Sequence, residues 1–227
     1  MTSTTLHLDL TRAESQPTAA RSGLYSLLAW ALVVPDHNTY TAFADGRLAK
    51  EAGELVAGLP YPLPALALPS ELPPFPQFQS EYIAAFEVGL KGPPCPLYEG
   101  AFRVDRGRKA IMEEVLRFYR FFDLKMSESV RELPDQLSAQ LEFMHYLAFL
   151  EAGLIERDGP DHPSRGDLRR GQRDFLHRHL CAWAPQLAAK AQKHHAPAGY
   201  CALLEFLDNL IKMDREYLER ELASRSD

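Results

Sequence analysis

The sequence predicts an all-α fold, a compact single-domain bundle of about seven helices with one proline-rich extended connection. Apolar residues recur at steps of three and four along most of the chain, which places them on one face of a helix. No run alternates apolar and polar residues for long enough to predict a strand. With 46% hydrophobic residues among 227, the chain can bury one substantial core.

The start of the chain is predicted to be a flexible N-terminal tail over residues 1–17, followed by one all-helical domain over residues 18–227. The tail is polar and rich in threonine and serine. No basic segment precedes an apolar run in it, so no secretory signal is expected. No stretch approaches the roughly 18 uncharged apolar residues of a membrane helix, so no membrane span is expected.

The first two helices are predicted from one apolar stripe and from proline, which cannot continue a helix. The first begins near Thr18 and ends before Pro35. The second, capped at Asp36 or Asn38, runs to about Val56. The later predicted helices span Ser80 to about Val88, Gly107 to Phe122, Leu133 to Glu156, Asp167 to about Ala191 with a bend near Pro185, and Ala198 to Ala223.

Residues 59–77 contain prolines at positions 60, 62, 64, 69, 73, 74 and 76, which exclude a regular helix. The stretch also carries several leucines and a phenylalanine, which a solvated linker does not require. We therefore predict an extended segment packed on the helices rather than a boundary between domains. Long connections of this kind leave both a monomer and a domain-swapped dimer open.

The net charge of −6 and the pI of about 5.8 do not fit the basic face of a nucleic-acid binder. The densest basic stretch, residues 165–178, mixes arginines with aspartates and is typical of a solvated helix face. An acidic balance suits a cationic partner instead. Cys95, Cys181 and Cys201 are widely spaced and odd in number, which predicts free thiols and a cytoplasmic protein.

The sequence contains no glycine-rich phosphate loop, no serine-nucleophile motif and no zinc-protease motif. Its strongest enzyme-like pattern is Glu142 with His145, because a Glu-x-x-His pair on a helix is half of a helical di-iron site. The nearest second pair, Asp174 with His177, carries aspartate in place of glutamate. A helical di-metal enzyme using Glu142 and His145 stays an alternative. The main prediction is a protein that is not an enzyme and binds no metal or cofactor.

The most informative pattern lies on the predicted helix Leu133–Glu156, with Pro134 in its first turn. Asp135 and Glu142 are seven residues apart, nearly two turns, and align on a stripe that Tyr146 and Phe149 continue. This stripe lies well round the helix from the predicted core ridge, which comprises Leu137, Leu141, Met144 and Ala148.

An acidic and aromatic stripe of this kind favours a groove for a peptide that has positive charges followed by an apolar run. Carboxylates pair bidentately with arginine, and a peptide can dock in a groove as a helix. Two plainer interpretations stay open. In the first, neighbouring helices bury the aromatic part of the stripe. In the second, Glu132 and Asp135 only cap the helix, because the helix dipole stabilises negative charge in the first turn.

Four segments resemble the motifs of TorD/DmsD/NarJ-type redox-enzyme maturation chaperones. Glu132-Leu-Pro-Asp135-Gln136, followed by Leu141-Glu142-Phe143-Met144, resembles the family's Glu-x-x-Asp-His motif and its Glu-Leu-x-Phe-Met helix. Residues 81–89 resemble the family's Tyr-x-x-x-Phe-x-x-Gly helix end, and residues 93–100 resemble its proline-rich loop ending in Tyr-Glu. The matches keep their order and span roughly residues 20–215.

The resemblance implies a TorD-like all-α fold and a cytoplasmic assembly chaperone. Such a protein binds the twin-arginine signal peptide of the apo catalytic subunit of a molybdenum-cofactor oxidoreductase, and holds it until the cofactor is inserted before export. Residues 133–147 are most similar to chaperones of periplasmic type II enzymes, such as dimethylsulfide, ethylbenzene, selenate or chlorate systems. The candidate signal-peptide-binding residues are Glu132, Asp135, Gln136, Glu142, Tyr98, Glu99, Tyr146 and Phe149.

The chain departs from the family pattern at Gln136, where the family has histidine. Glutamine keeps a hydrogen-bonding side chain but does not titrate, so no role for a protonatable imidazole is expected at this position. A third hypothesis is a helical adaptor that binds a mature partner domain. Its binding would survive deletion of the partner's leader.

Overall fold

The computed structural model of the protein describes residues 11–125 and 133–224. Within these ranges the backbone forms helices and two isolated bridges but no strand, which confirms the all-α prediction. The helices are α1 (Gln16–Ala31), α2 (His37–Ala44), α3 (Arg47–Ala57), α4 (Phe75–Phe86), α5 (Arg108–Phe121), α6 (Leu137–Asp158), α7 (Ser164–Phe175), α8 (Cys181–Lys193) and α9 (Ala198–Ala223). Two 3-10 turns, Glu99–Ala101 and Val104–Arg106, precede α5.

Helix α1 begins at Gln16, inside the predicted tail, because Pro17 fits the first turn of a helix. Ahead of it, the backbone N–H groups of Thr11 and Arg12 donate to the carboxylate of Glu156 on α6, at 2.9 and 3.0 Å. Residues 11–15 are thus docked on the helical domain. Residues 1–10 of the predicted tail lie outside the described residues.

The second predicted helix is in fact two helices. Gly46 separates α2 from α3 with a φ of 77°, a left-handed conformation that interrupts a regular helix. Asp36 caps α2 as predicted, since its carboxylate accepts the N–H of Thr39 at 2.8 Å. Helix α4 begins at Phe75, earlier than predicted, because Pro76 is accepted in the first turn.

Helix α6 begins at Leu137, which corrects the prediction that Pro134 lies in its first turn. Gln136 is the N-cap residue and has an extended backbone. Asp135 therefore lies outside the helix and does not share a helical stripe with Glu142. The predicted core ridge is confirmed, because all four of its residues have no exposed surface: Leu137, Leu141, Met144 and Ala148.

Helices α7 and α8 are joined by a π-helical turn, Leu176–Leu180, within what the sequence predicted as one helix. Pro185 lies inside α8 and cannot donate to the carbonyl of Cys181, four residues earlier. The π turn ends immediately before Cys181. Leu180, the last residue of the π turn, lies five residues before Pro185.

Helix α1 packs along α6, α7 packs on α6 and α9, and α8 packs on α9. The proline-rich segment covers this core in extended form. Tyr61, Leu63 and Leu66 are buried, and the hydroxyl of Tyr61 donates to Asp214 on α9 at 2.9 Å. The predicted packed connection is thereby confirmed. None of the described helices combines the length and the apolar character needed to cross a membrane.

Candidate functional site

The turn that leads into α6 pairs with the loop that precedes α5. Leu137 donates its N–H to the carbonyl of Leu97, and Glu99 donates its N–H to the carbonyl of Asp135, both at 2.9 Å. Tyr98 and Gln136 form an antiparallel bridge between these two bonds. The backbone therefore brings together candidate residues that the sequence places in two separate motifs.

Asp135 is completely buried and is held by the chain itself. Arg108, the first residue of α5, donates from Nε and Nη2 to the two carboxylate oxygens, at 2.9 and 3.2 Å. The N–H of Gly100 lies 3.3 Å from the same carboxylate. The Arg108 guanidinium also lies over the Tyr98 ring, 4.7 Å from its centroid. Asp135 therefore presents no open carboxylate at the surface in this conformation.

Glu99 is also completely buried, and its carboxylate links several elements. It accepts hydrogen bonds from Gln140 Nε2 at 2.7 Å and from Arg103 Nη1 at 3.1 Å, and it lies 2.8 Å from His179 Nδ1 in the π turn. Gln140 in turn accepts a bond from the indole N–H of Trp183 at 3.0 Å. Glu99 thus joins the loop, α6 and the α7–α8 junction, and its geometry is that of a structural group.

Glu142, Tyr146 and Phe149 lie at spacings of four and three residues on α6 and share one face of it. Glu142 is exposed, whereas Tyr146 and Phe149 are half-buried. The Tyr146 hydroxyl donates to the carbonyl of Phe122 at 3.2 Å. The structure therefore keeps the acidic and aromatic stripe from Glu142 onward. Gln136 is half-buried beside the start of this helix, and Glu132 lies outside the described residues.

Phe149 opens onto a surface depression between α5, α6 and α7, which we call the aromatic groove. The groove has two adjoining cavities of about 390 and 650 Å³ that share Phe122 and Asp167. Phe121, at its edge, is 77% exposed. The lining is largely apolar, with charged residues at the rim. The groove residues are Glu114, Arg117, Phe118, Phe121, Phe122, Phe149, Leu150, Gly153, Leu154, Glu156, Arg157, Ser164, Asp167, Leu168, Arg170, Gly171, Asp174 and Arg178.

Residues 48–189 match the family described as the nitrate reductase delta subunit. The chain belongs to this family. The match confirms the resemblance to redox-enzyme maturation chaperones and spans the segments that contain Tyr98, Asp135 and Phe149.

Three curated relatives of this protein are named as assembly chaperones. The perchlorate reductase assembly chaperone protein of Dechloromonas aromatica (strain RCB) is 34% identical over 215 residues, which cover 90% of this chain and 92% of that protein. The selenate reductase assembly chaperone protein of Thauera selenatis is 46% identical over 140 residues, or 62% and 69% of the two chains. The chlorate reductase assembly chaperone protein of Ideonella dechloratans is 40% identical over 114 residues, or 50% and 57%.

The geometry of the protein does not support the alternative of a helical di-metal enzyme using Glu142 and His145. His145 is bound to Ser22 on α1, with its Nδ1 2.8 Å from the hydroxyl and 3.1 Å from the carbonyl oxygen. Burial lowers the pKa of this imidazole. Over residues 11–125 and 133–224, no three His, Cys, Asp or Glu side chains are placed to hold a metal ion together.

Three residues that shape the site were missed by sequence reasoning: Arg108, Phe122 and Gly171. Phe122 is the last residue of a predicted helix, and Gly171 is one glycine in a polar helix. Arg108 did carry a signal, since it is a cation at the N-terminal end of a predicted helix, where the helix dipole disfavours positive charge. That mismatch is visible in the sequence alone.

Proposed function

We propose that the protein is a cytoplasmic assembly chaperone for the catalytic subunit of a molybdenum-cofactor oxidoreductase. It binds the subunit's twin-arginine leader and holds the apo subunit until the cofactor is inserted before export. The three relatives are each named as an assembly chaperone of a reductase, which supports the chaperone class. The observation that carries the leader-binding proposal is the α6 face. On this face the exposed Glu142 is followed by Tyr146 and Phe149, and Phe149 lines the aromatic groove.

The dimensions of this face suit a leader whose arginines precede an apolar run. Phe149 lies twelve residues beyond the start of α6 at Leu137, a distance of about 18 Å along the helix. An apolar segment seated on Phe149 and Phe122 therefore places its preceding arginines toward Glu142 and the turn at Asp135. Apolar contact provides the affinity, and charge pairing sets the register.

Tyr98 and Tyr146 complete the proposed surface as half-buried rings, Tyr98 beside the start of α6 and Tyr146 between Glu142 and Phe149. Gln136 contributes an amide beside the start of α6. Glu99 has no exposed surface, so the proposal assigns it the role of positioning the Tyr98 loop. Glu132 is retained as a candidate from the sequence pattern alone.

The first experiment identifies the client. The tagged chaperone is recovered from its native host, and the co-purifying large subunit is identified by mass spectrometry. Calorimetry then measures binding of three probes: that subunit's synthetic leader, the same leader with both arginines changed to lysine, and the subunit without its leader. We expect the native leader to bind most tightly.

Matched variants locate the leader on the protein. Glu142→Lys reverses an exposed charge on the proposed face, and Phe149→Asp places a charge in the groove. Glu205→Lys makes the same reversal at an exposed position on α9 and serves as the control. Equal leader affinity for all three folded variants would show that the α6 face is not the binding site. Binding that survives removal of the leader would favour the adaptor for a mature domain.

A further inference from the structure

The pair of Arg108 and Asp135 is unequally exposed. The Arg108 side chain is 44% exposed, whereas the Asp135 side chain is 0% exposed. The guanidinium therefore covers the carboxylate from the solvent side. Any cationic group that reaches Asp135 from outside has to take the place of this guanidinium.

The surroundings of Arg108 are shaped for a guanidinium. The Tyr98 ring lies under it, and both oxygens of Asp135 face its Nε and Nη2. A Cβ added at Gly100 would lie 2.6 Å from Arg108 Cγ and 3.0 Å from Asp135 Oδ2, so only glycine leaves room there. A planar guanidinium can bond both carboxylate oxygens and stack on a ring, which a compact ammonium cannot do equally well.

Arg108 has no advantage from its own helix. It is the first residue of α5, where the partial positive charge of the helix dipole disfavours a cation. The carboxylate and the ring, rather than the helix, therefore hold this side chain in place. Such a contact is replaceable by a second guanidinium with the same partners.

We propose that Arg108 is an internal placeholder, and that an arginine of the client's leader displaces it from Asp135 and Tyr98. This inference rests on the proposed leader binding and adds a defined guanidinium subsite with built-in competition. The exchange keeps Asp135 paired throughout, because one arginine replaces another. It also makes recognition conditional, since a segment without arginine cannot compete for the subsite.

The subsite is tested without any leader by chemical rescue. Arg108→Ala empties the position, and Lys109→Ala removes one positive charge from the neighbouring, 88% exposed residue as the control. Methylguanidinium is expected to raise the Tm of Arg108→Ala and to leave wild type and Lys109→Ala unchanged, relative to methylammonium at equal ionic strength. The guanidinium subsite is overturned if methylammonium raises the Tm of Arg108→Ala as much as methylguanidinium does. It is also overturned if methylguanidinium raises the Tm of Lys109→Ala as much as that of Arg108→Ala.

Arg108→Lys keeps a cation beside Asp135 and serves if Arg108→Ala does not fold. Its ammonium competes less well for the subsite, so methylguanidinium is expected to raise its Tm as well. The absence of any methylguanidinium effect on this folded variant overturns the proposal.

Displacement is then tested by calorimetry with the client's synthetic leader. In Arg108→Ala the competing guanidinium is gone, and we expect the leader to bind about tenfold more tightly than to wild type. This is the gain expected if Arg108 leaves the subsite open in about one wild-type molecule in ten. The lysine-substituted leader is expected to gain less. If methylguanidinium rescues but the leader binds both proteins equally, displacement is overturned while the proposed function stands. If the leader binds neither protein, the proposed function fails with it.

Discussion

Arg21 and Asp214, which are 193 positions apart, form a bidentate ion pair with no exposed surface. The Arg21 Nε and Nη2 donate to the two carboxylate oxygens at 2.5 and 3.0 Å. The hydroxyl of Tyr25 donates to the same carboxylate at 2.7 Å. On its other side, Arg21 lies 3.4 Å from Glu151, which Arg169 contacts at 2.7 Å. This network ties the first and last helices to α6 and α7, the helices that carry the aromatic groove.

Asp214→Asn is expected to destabilise the protein by about 3–5 kcal/mol, because it leaves Arg21 buried without its main counter-charge. Urea unfolding followed by circular dichroism measures this change. Glu54→Gln removes one partner of an exposed pair with Lys50, whose atoms are 3.8 Å apart, and is expected to cost less than about 1 kcal/mol. Similar losses in the two variants would mean that the buried pair contributes no more than a surface pair.

The sequence predicted the helices well where a stripe of apolar residues recurs, as on α6, whose core ridge is completely buried. It misplaced the start of this helix because proline is acceptable both in a first turn and just ahead of one. The acidic candidates were the hardest to place. Glu99 and Asp135 are recognisable as carboxylates in the chain, but the pairing of Asp135 with Arg108 joins residues 27 positions apart and is not readable from local spacing. The same holds for the contacts of Glu99 with Gln140 and His179, which lie 41 and 80 positions away.

Gly171→Ala is expected to weaken leader binding, because an added Cβ would overlap the Phe122 ring on which the aromatic groove is built. The clash is expected to cost about 1–3 kcal/mol, which outweighs the gain of up to about 1 kcal/mol in helix propensity. Gly166→Ala, on the same helix, meets only the end of the Arg170 side chain at 3.4 Å. It is expected to raise stability slightly and to leave binding unchanged.

Calorimetry with the leader and urea unfolding of both glycine variants separate the two effects. A Gly171→Ala protein that binds the leader like wild type would remove the Phe122 side of the groove from the proposed site.

Glu99→Gln is expected to lower stability by about 1–3 kcal/mol, since the buried His179 and the partly exposed Arg103 lose a charged acceptor. Leader affinity of the folded variant is expected to stay at the wild-type value, because a glutamine side chain can still accept the hydrogen bond from Gln140 that holds the Tyr98 loop on α6. Glu142→Gln provides the opposite case: because Glu142 is exposed, we expect weaker leader binding and a loss of stability below about 1 kcal/mol. A large loss of affinity in Glu99→Gln without loss of stability would instead assign Glu99 a direct contact with the leader.

Docking of residues 11–15 is expected to depend on the ionisation of Glu156. Hydrogen bonds from the Thr11 side chain and from the Arg12 backbone lower the pKa of this carboxyl from 4.5 to about 2. Because the pKa is lower in the docked state, the docking contribution is fully present above about pH 4.5 and is lost as the pH falls toward 2. Amide NMR signals of Thr11 and Arg12 follow this transition directly.

Glu156→Gln imitates the protonated state at neutral pH and should release the same contacts. Trypsin is expected to cut this variant after Arg12 faster than wild type, whereas the control Glu216→Gln, at an exposed position on α9, is expected to be cut at the wild-type rate. The comparison separates loss of this carboxylate from a general effect of charge. Equal cleavage of all three proteins would show that the Glu156 carboxylate does not hold the start of the chain, and that the bond from Arg12 Nε to the Glu156 carbonyl and the packing of α1 suffice to dock it.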